Sequence, residues 1–420
     1  MEFQDNSPLD TAETASATKD VPAKGKSKKV EQGPPIPSLL CFPALIVAVA
    51  TIAMTILGFL AGGGSFGWFC EICASLRAQF VLVLLLCMLP ALFAPPWRLP
   101  LLAPCALFAL INLCFVIPPM LPASAPSDAN LKFLKFRVME LHVDSPQTDL
   151  KPIIQEVNAE HPELVCITGV NTAQLVKLNE QLNSYLNRTA FMPEESKGIA
   201  IYSTKPLKGN RFRRIGPDKL PVLLTTLHFD YGWFRIIAIE LPAPKDGDTL
   251  SKRNAQAEAV AKMVAELNGR KMVLGDYNMT PYSMTFGALL KNGNLQDTRL
   301  GYGIQPSWHY PDNMDLFLMR FPVDHILINS DVATMSRHVG EACGLAHRPI
   351  IVDLYPANSN QPKYEPSKES APDDIPAAQA LTPGAGVKGP PKTSTPTPAA
   401  EGKAPAETGK KGSSKRKRKH

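Results

Sequence analysis

The residues with the clearest chemical potential lie in Val273-Leu274-Gly275-Asp276-Tyr277-Asn278, where an acid and an amide stand two positions apart after an apolar run. A buried strand ending in a sharp turn would present both on one side, an acid that can move a proton beside an amide that can hold an oxygen, as hydrolysis of an ester such as a phosphoester would use. Cleaving a phosphoester with water requires a base near the nucleophile, donors for the phosphoryl oxygens and a divalent cation to take up developing charge. Further on, Phe321-Pro322-Val323-Asp324-His325-Ile326-Leu327 and Leu345-Ala346-His347-Arg348-Pro349 bring a second acid and an imidazole.

Strands and helices must alternate to position these groups. Leu134 to Val143 alternates as a strand does, Asp149 to Ala159 has helical spacing with Asp149 as N-cap, and Glu163 to Thr168 is a short apolar strand. Helices are expected over Leu175 to Leu186, Ser251 to Leu267 and Ser283 to Lys291. Strands are expected over Gly198 to Ser203, Leu220 to Phe229, Trp233 to Leu241, Lys271 to Leu274, Val323 to Asn329 and Pro349 to Leu354. Asp230-Tyr231-Gly232 reads as a hairpin turn. Such mixed order suits an α/β (α+β) four-layer sandwich, two packed β-sheets flanked by helices, over residues 129–355.

Ahead of it, residues 38–122 read as a membrane region with about three transmembrane helices. Leu39 to Leu60, Ala78 to Trp97 and the run from Leu99 to Pro118 are uncharged and apolar, each about the 20 residues that a bilayer span needs. Lys19, Lys24, Lys26, Lys28 and Lys29 mark residues 1–37 as a polar, disordered cytoplasmic tail. With Arg98 in the turn between spans two and three and Arg77 in the opposite loop, the protein reads as multi-pass in a cytoplasmic membrane, its carboxy-terminal domain extracytoplasmic. Lys132, Lys135 and Arg137 argue weakly the other way.

Residues 356–420 are rich in Pro, Ala and Lys and are expected to be disordered. They hold 12 Lys and Arg against 6 Asp and Glu, a net +6 equal to the net charge of the whole chain, so everything before them sums to zero. A nuclease gripping duplex nucleic acid through its folded domain would carry its own basic surface. Here the excess sits in Lys410, Lys411 and Lys415 to Lys419, either as a solvated end or as a tether to an anionic polymer or lipid face. Of eight cysteines, Cys41, Cys87, Cys105 and Cys114 read as packing residues of the spans. Cys70 and Cys73 could be a disulfide or metal pair, and Cys166 and Cys343 read as buried thiols.

The domain resembles the endonuclease/exonuclease/phosphatase superfamily, most of all its bacterial branch with amino-terminal membrane spans. The likeness rests on Gly198-Ile199-Ala200-Ile201-Tyr202-Ser203, Leu241-Pro242-Ala243-Pro244, the Gly-Asp-Tyr-Asn turn, Pro306-Ser307-Trp308, Val323-Asp324-His325-Ile326-Leu327 and His347-Arg348-Pro349-Ile350, in the family's order. By resemblance, Asp276 would activate the attacking water, Asn278 would hold the phosphate, and His347, oriented by Asp324, would face the phosphoryl group. The implied cofactor is a divalent metal, Mg or Mn, and the implied ligand a phosphate ester.

Four positions depart from the family's pattern. His142 stands where the family carries Asn, Gly169 where it carries a metal-binding Glu, Glu240 where it carries a phosphate-contacting His, and Ala346 where it carries an Asp that helps hold the metal. A carboxylate at Glu240 would repel an anionic substrate by about 4 kcal/mol at about 4 Å and an effective dielectric of about 20. Two expectations follow. One is a membrane-anchored protein with impaired or lost phosphoesterase activity and a binding or scaffolding role. The other is an active phosphoesterase whose ligands are rearranged, with His142, Asp144, Glu240 and Asp276 as candidates better suited to zinc or manganese than to magnesium. Lys208, Arg211, Arg213 and Arg214, read within a loop from Lys205 to Leu220, form a phosphate-facing patch or a solvated surface. Trp308 and His309 wall the cleft or cap a sheet.

Overall fold

The computed structural model describes residues 36–60, 62–122, 133–192, 198–309, 319–359 and 375–376. They form two compact units. One comprises the chain up to Leu60 with Ile72–Val116, and the other comprises Ala61–Glu71 with the chain from Ile117 onward.

The first unit is built from α1 (Ile36–Leu57), the end of α2 (Gly64–Ser75), α3 (Arg77–Leu92) and α4 (Ala103–Val116). Small residues, among them Cys41, Ala48, Cys87, Ala91, Cys105 and Ala109, fill the seams and let the backbones approach, the packing that serves where lipid gives helices no hydrophobic reason to associate. Leu39, Ile46, Val49, Leu85, Leu89, Leu107 and Leu110 point outward. Pro37–Leu57 and Pro95–Val116 are long and apolar enough to cross a membrane, and α2 with α3, bent by 66°, pass the same test together either as a broken span or as a re-entrant loop. The boundaries differ from those expected: α3 stops at Leu92, because Pro95 and Pro96 cannot extend it, and Arg98 lies inside the last run rather than in a turn. Arg77 is buried, its guanidinium between the rings of Phe59 and Phe115 at 4.1 and 4.0 Å and donating to the Gly58 carbonyl at 3.1 Å.

The second unit holds the mixed fold. In chain order it runs β1 (Phe136–His142), α5 (Lys151–Glu160), β2 (Leu164–Val170), α6 (Thr172–Gln181), β3 (Asn187–Phe191), β4 (Gly198–Ser203), β5 (Leu207–Ile215), β6 (Leu220–Phe229) and β7 (Gly232–Glu240). Next come α7 (Gly247–Glu266), β8 (Lys271–Asp276), α8 (Met284–Gly293), β9 (Gln296–Asp297), β10 (Trp308–His309), β11 (Arg320–Phe321), β12 (Asp324–Ile328), β13 (Val332–Val339), β14 (Ile350–Pro356) and β15 (Ile375–Pro376). One sheet has the order β13-β14-β1-β2-β4-β3, the other β15-β5-β6-β7-β8-β12-β9.

Side-chain alternation makes four layers of these elements. On β1, Phe136 and Val138 enter the core between the sheets with Leu164, Cys166, Ile236, Leu274, Ile326 and Val352, whereas Met139 and Leu141 pack outward on α5 and α6. On the other sheet Ile237 and Ile239 pack outward on α7 and α8. The period-two strand pattern therefore sets which residue of each strand can reach the space between the sheets.

Some elements differ from expectation. The stretch from Lys205 to Leu220 is mostly strand, β5, paired antiparallel with β6 through a bulge between Lys208 and Arg211. Its basic residues mask the apolar Leu207, Phe212 and Ile215, which pack against the cores. Strands β3 and β13 are likewise polar in sequence and become strands by pairing with β4 and β14. Leu150, not Asp149, is the N-cap of α5, although Asp149 Oδ1 accepts from Lys151 N at 3.0 Å. Cys70 and Cys73 are both buried on α2 and are not joined by a disulfide. Within the stretch expected to lack structure, Ile375 and Pro376 pair with Phe212 and Arg211. The amino-terminal basic tail and the clustered lysines at the other end lie outside the described residues.

Candidate active site

The carboxyl ends of β1, β2, β7 and β8 open onto one cleft of about 500 Å³, lined by His142, Glu240, Asp276, Asn278, Trp308 and His347, with Ile199 and Pro221 on its apolar side. His142, Glu240 and Asp276 come from the ends of β1, β7 and β8, whereas Asn278 lies in the turn after β8 and His347 in the segment before β14. His142 follows Phe136, Val138 and Glu140 in the inward series of β1, and Glu240 lies opposite Asp276 in the parallel register of β7 and β8.

Asp276 is held from the turn that follows it. Asn278, in the left-handed region at φ 48°, donates its backbone N–H to Asp276 Oδ1 at 2.8 Å and its side-chain amide to Asp276 Oδ2 at 2.6 Å. The same amide reaches the Leu241 carbonyl at 2.9 Å, so both of its N–H groups are engaged. Gly275 makes room for the turn at φ 140°, where a Cβ would strike the Ile239 carbonyl.

The two imidazoles are fixed differently. His347 Nδ1 donates to Asp324 Oδ2 at 2.8 Å, which turns Nε2 toward Asp144 Oδ1 at 3.4 Å. His142 Nδ1 meets Thr168 Oγ1 at 3.0 Å and lies 3.7 Å from Asp276 Oδ2. The rings are 4.6 Å apart. One ligand atom each from His142, Asp276 and His347 can lie within 4.8 Å of the other two, and all three residues are buried.

Gly169 and Ala346, the substituted metal-side positions, join the site through their backbones. Gly169 N–H donates to Glu240 Oε2 at 3.1 Å, and Ala346 N–H to Asp144 Oδ2 at 2.7 Å. Gly169 has φ 78°, and a Cβ there would collide with the Val143 carbonyl and come within 2.9 Å of the His142 ring. A glutamate cannot occupy this backbone as it stands.

Carboxyl groups outnumber imidazoles in and behind the site, where Glu140, Asp144, Glu240, Asp276 and Asp324 surround His142 and His347. Burial would lower the His347 pKa, but Asp324, Asp276 and Asp144 outweigh it and raise it to about 9. Burial opposes ionisation of Asp324 too, yet His347 holds it below its ordinary value. Asp276 goes the other way, pushed well above the carboxylate range by burial and by Asp324.

Glu140 is a residue that motif reasoning passed over. It is fully buried one inward step behind His142, both oxygens lack a hydrogen-bond partner among the described residues, and burial, then Asp324 and Asp276, drive its pKa well up. The signal was present, since an acid at an inward position of an otherwise apolar strand is itself anomalous. Ser307, noted only as part of a motif, accepts the backbone N–H groups of Val323 and Asp324 at 3.2 and 3.1 Å. Its neighbour Trp308 lines the cleft and bridges to His347. Lys208, Arg211, Arg213 and Arg214 belong to β5 and are not among the residues lining the cleft.

The donor set fits a divalent cation. Two imidazoles and a carboxylate are the ligands of zinc and manganese sites more than of magnesium sites, and a carboxylate behind one imidazole is the usual support for a metal-binding histidine. An excess of buried carboxyl groups likewise calls for positive charge.

The model of the Endonuclease/Exonuclease/phosphatase family matches residues 136–352. None of the curated proteins compared matches the chain. Similar solved structures include an endonuclease/exonuclease/phosphatase from Beutenbergia cavernae DSM 12333, with 18% identity and TM-score 0.43 over 53% of this chain and 72% of that one. A 3' phosphatase, NExo, from Neisseria, bound to a product DNA hairpin, has 16% identity and TM-score 0.39 over 52% and 98%. An AP endonuclease from Archaeoglobus fulgidus has 11% identity and TM-score 0.44 over 52% and 98%.

Proposed function

Because the chain belongs to the endonuclease/exonuclease/phosphatase family, we propose that it is a metal-dependent phosphoesterase with relocated ligands, anchored in a membrane by its apolar helices. The observation that carries this reading is the convergence of His142, Asp276 and His347. His142 replaces the family's Asn, and the cation site forms on β1 and β8 instead of on the lost carboxylates at Gly169 and Ala346.

His142, Asp276 and His347 would hold the cation, which when bound supplies Lewis-acid stabilisation of the phosphoryl oxygens and offsets the charge of Glu240. Asp324 keeps the His347 Nδ1 proton in place, so that Nε2 is the ligating nitrogen. Asn278 holds Asp276 in one orientation instead of leaving that to solvent. Glu240, fixed at one oxygen by Gly169 N–H, takes the proton from the attacking water as the new P–O bond forms. The ester P–O bond breaks, and the leaving oxygen is protonated from solvent.

The cleft accommodates a phosphate monoester or diester, with Ile199 and Pro221 offering an apolar wall to the organic group. With three spans and an amino terminus in the cytoplasm the domain lies outside the cytoplasm, whereas two spans would return it to the inner side. The basic tail would then hold the protein against an anionic polymer or lipid surface.

A second reading, binding or scaffolding without turnover, is favoured by the Gly169 backbone, which excludes the family's own ligand. Full-length protein in detergent, assayed on bis(p-nitrophenyl) phosphate with zinc, manganese and magnesium, separates the two. Turnover and bound metal that are both lost with chelator and in His142→Ala support the first. A protein inert with every cation and retaining no metal on purification supports the second.

A further inference from the structure

We propose that Arg253 is a positioning residue for the turn carrying Asp276 and Asn278, and that Glu71, on the part of α2 that belongs to the same compact unit, locks it in place. This rests on the phosphoesterase reading for its effect on turnover, although not for its geometry.

Arg253 lies in the first half of α7, is fully buried, and takes no part in lining the cleft. Its Nη1 donates to the backbone carbonyl of Asn278 at 2.9 Å. Its Nη2 meets Glu71 Oε1 at 2.9 Å and Asn254 Oδ1 at 2.7 Å. The other Glu71 oxygen accepts from Ser283 Oγ at 3.1 Å, at the N-cap of α8. Asn278 is a non-glycine residue at φ 48°, a conformation that needs support from its surroundings. The guanidinium gives that support through the Asn278 carbonyl, while the Asn278 N–H groups hold Asp276.

A second contact from the same stretch reaches the other wall. Trp68 Nε1 donates to the Pro244 carbonyl at 2.7 Å, and Pro244 closes the segment whose Leu241, Pro242 and Ala243 line the cleft. Ala61–Glu71 belongs to the same compact unit as the cleft. Two residues of one short segment thus hold, from behind, the two backbone stretches flanking the catalytic carboxylate. A planar guanidinium can serve the Asn278 carbonyl, Asn254 and Glu71 together, which a lysine ammonium cannot do in the same plane. Ordinary packing of a helix against a domain would not need a buried ion pair whose cation spends a donor on the site's own turn.

The test compares wild type with Glu71→Gln, Glu71→Asp and Arg253→Lys, all full-length in detergent, by hydrogen exchange of residues 275–279 and by kinetics on bis(p-nitrophenyl) phosphate. Faster exchange in that turn is expected in Glu71→Gln and Arg253→Lys, with partial recovery in Glu71→Asp. Turnover should fall on the order of 10- to 100-fold in kcat with KM changed less than about threefold, as for a displaced catalytic group. Unchanged exchange in both variants overturns the proposal, whatever the activity. Faster exchange in a protein whose wild type is inert supports the positioning role and sinks the phosphoesterase reading alone.

Discussion

Gly169 N–H donates to Glu240 Oε2 at 3.1 Å, so two of the four positions that depart from the family's pattern are partners of one another. By the resemblance to the family, the first stands where a carboxylate is expected and the second is a carboxylate where none is expected. The carboxylate of the second is held by the backbone of the first, which sets a negative group at Glu240 instead of at Gly169.

Reinstating an acid at the first position is therefore expected to fail. In Gly169→Glu a left-handed backbone costs about 1–2 kcal/mol, and the Cβ meets the Val143 carbonyl, which is backbone and cannot swing aside. The melting temperature should drop by several degrees and metal content should not rise. A variant as stable as wild type, with more metal bound, would refute the arrangement described.

Asp324→Asn removes the carboxylate behind His347. Loss of such support typically costs about 10- to 100-fold in metal affinity, and competition titration with a chromophoric chelator should show that drop for zinc. An unchanged affinity would mean that His347 is not a ligand.

Asp297 tests the buried charges beneath the site. Burial alone would raise its pKa, but Arg299, His325 and Arg337 together bring it from 3.8 to about 2. A depressed folded-state pKa contributes stability that is present above the unfolded value and lost as pH falls through the folded one. The stability gap between wild type and Asp297→Asn should thus be full above about pH 4 and close toward pH 2, read from urea midpoints. A gap independent of pH across that window would contradict it.

Glu140 has the opposite sign. With its folded-state pKa raised above the ordinary 4.5, the native state binds the extra proton, and stability falls as pH rises above the unfolded value. Glu140→Gln should match wild type near pH 4 and become progressively more stable above about pH 4.5. A variant less stable than wild type at pH 8 would show that the carboxylate is ionised and used.

Much of this was legible in the residue order. The strand around Val273, the hairpin at Asp230 and Tyr231, and the acid and imidazole at Asp324 and His347 follow local rules of alternation, turn chemistry and motif spacing, and the structure joins that acid and imidazole at 2.8 Å. Strand β5 was hidden because Arg211, Arg213 and Arg214 outweigh Phe212 in any local count, and only pairing with β6 makes the stretch a strand. The ends of the apolar helices shifted because proline acts on hydrogen bonds a turn away.

What the chain order determined by itself was the family and the two-sheet fold, since those rest on patterns carried within short segments. Only the tertiary structure decided what the substitutions mean. Whether His142 meets Asp276, whether Gly169 leaves room for a side chain beside Val143 and whether Glu71 reaches Arg253 depend on strands and helices brought together across 134, 26 and 182 positions of chain. Those distances are set by sheet register and layer packing, which no local pattern encodes.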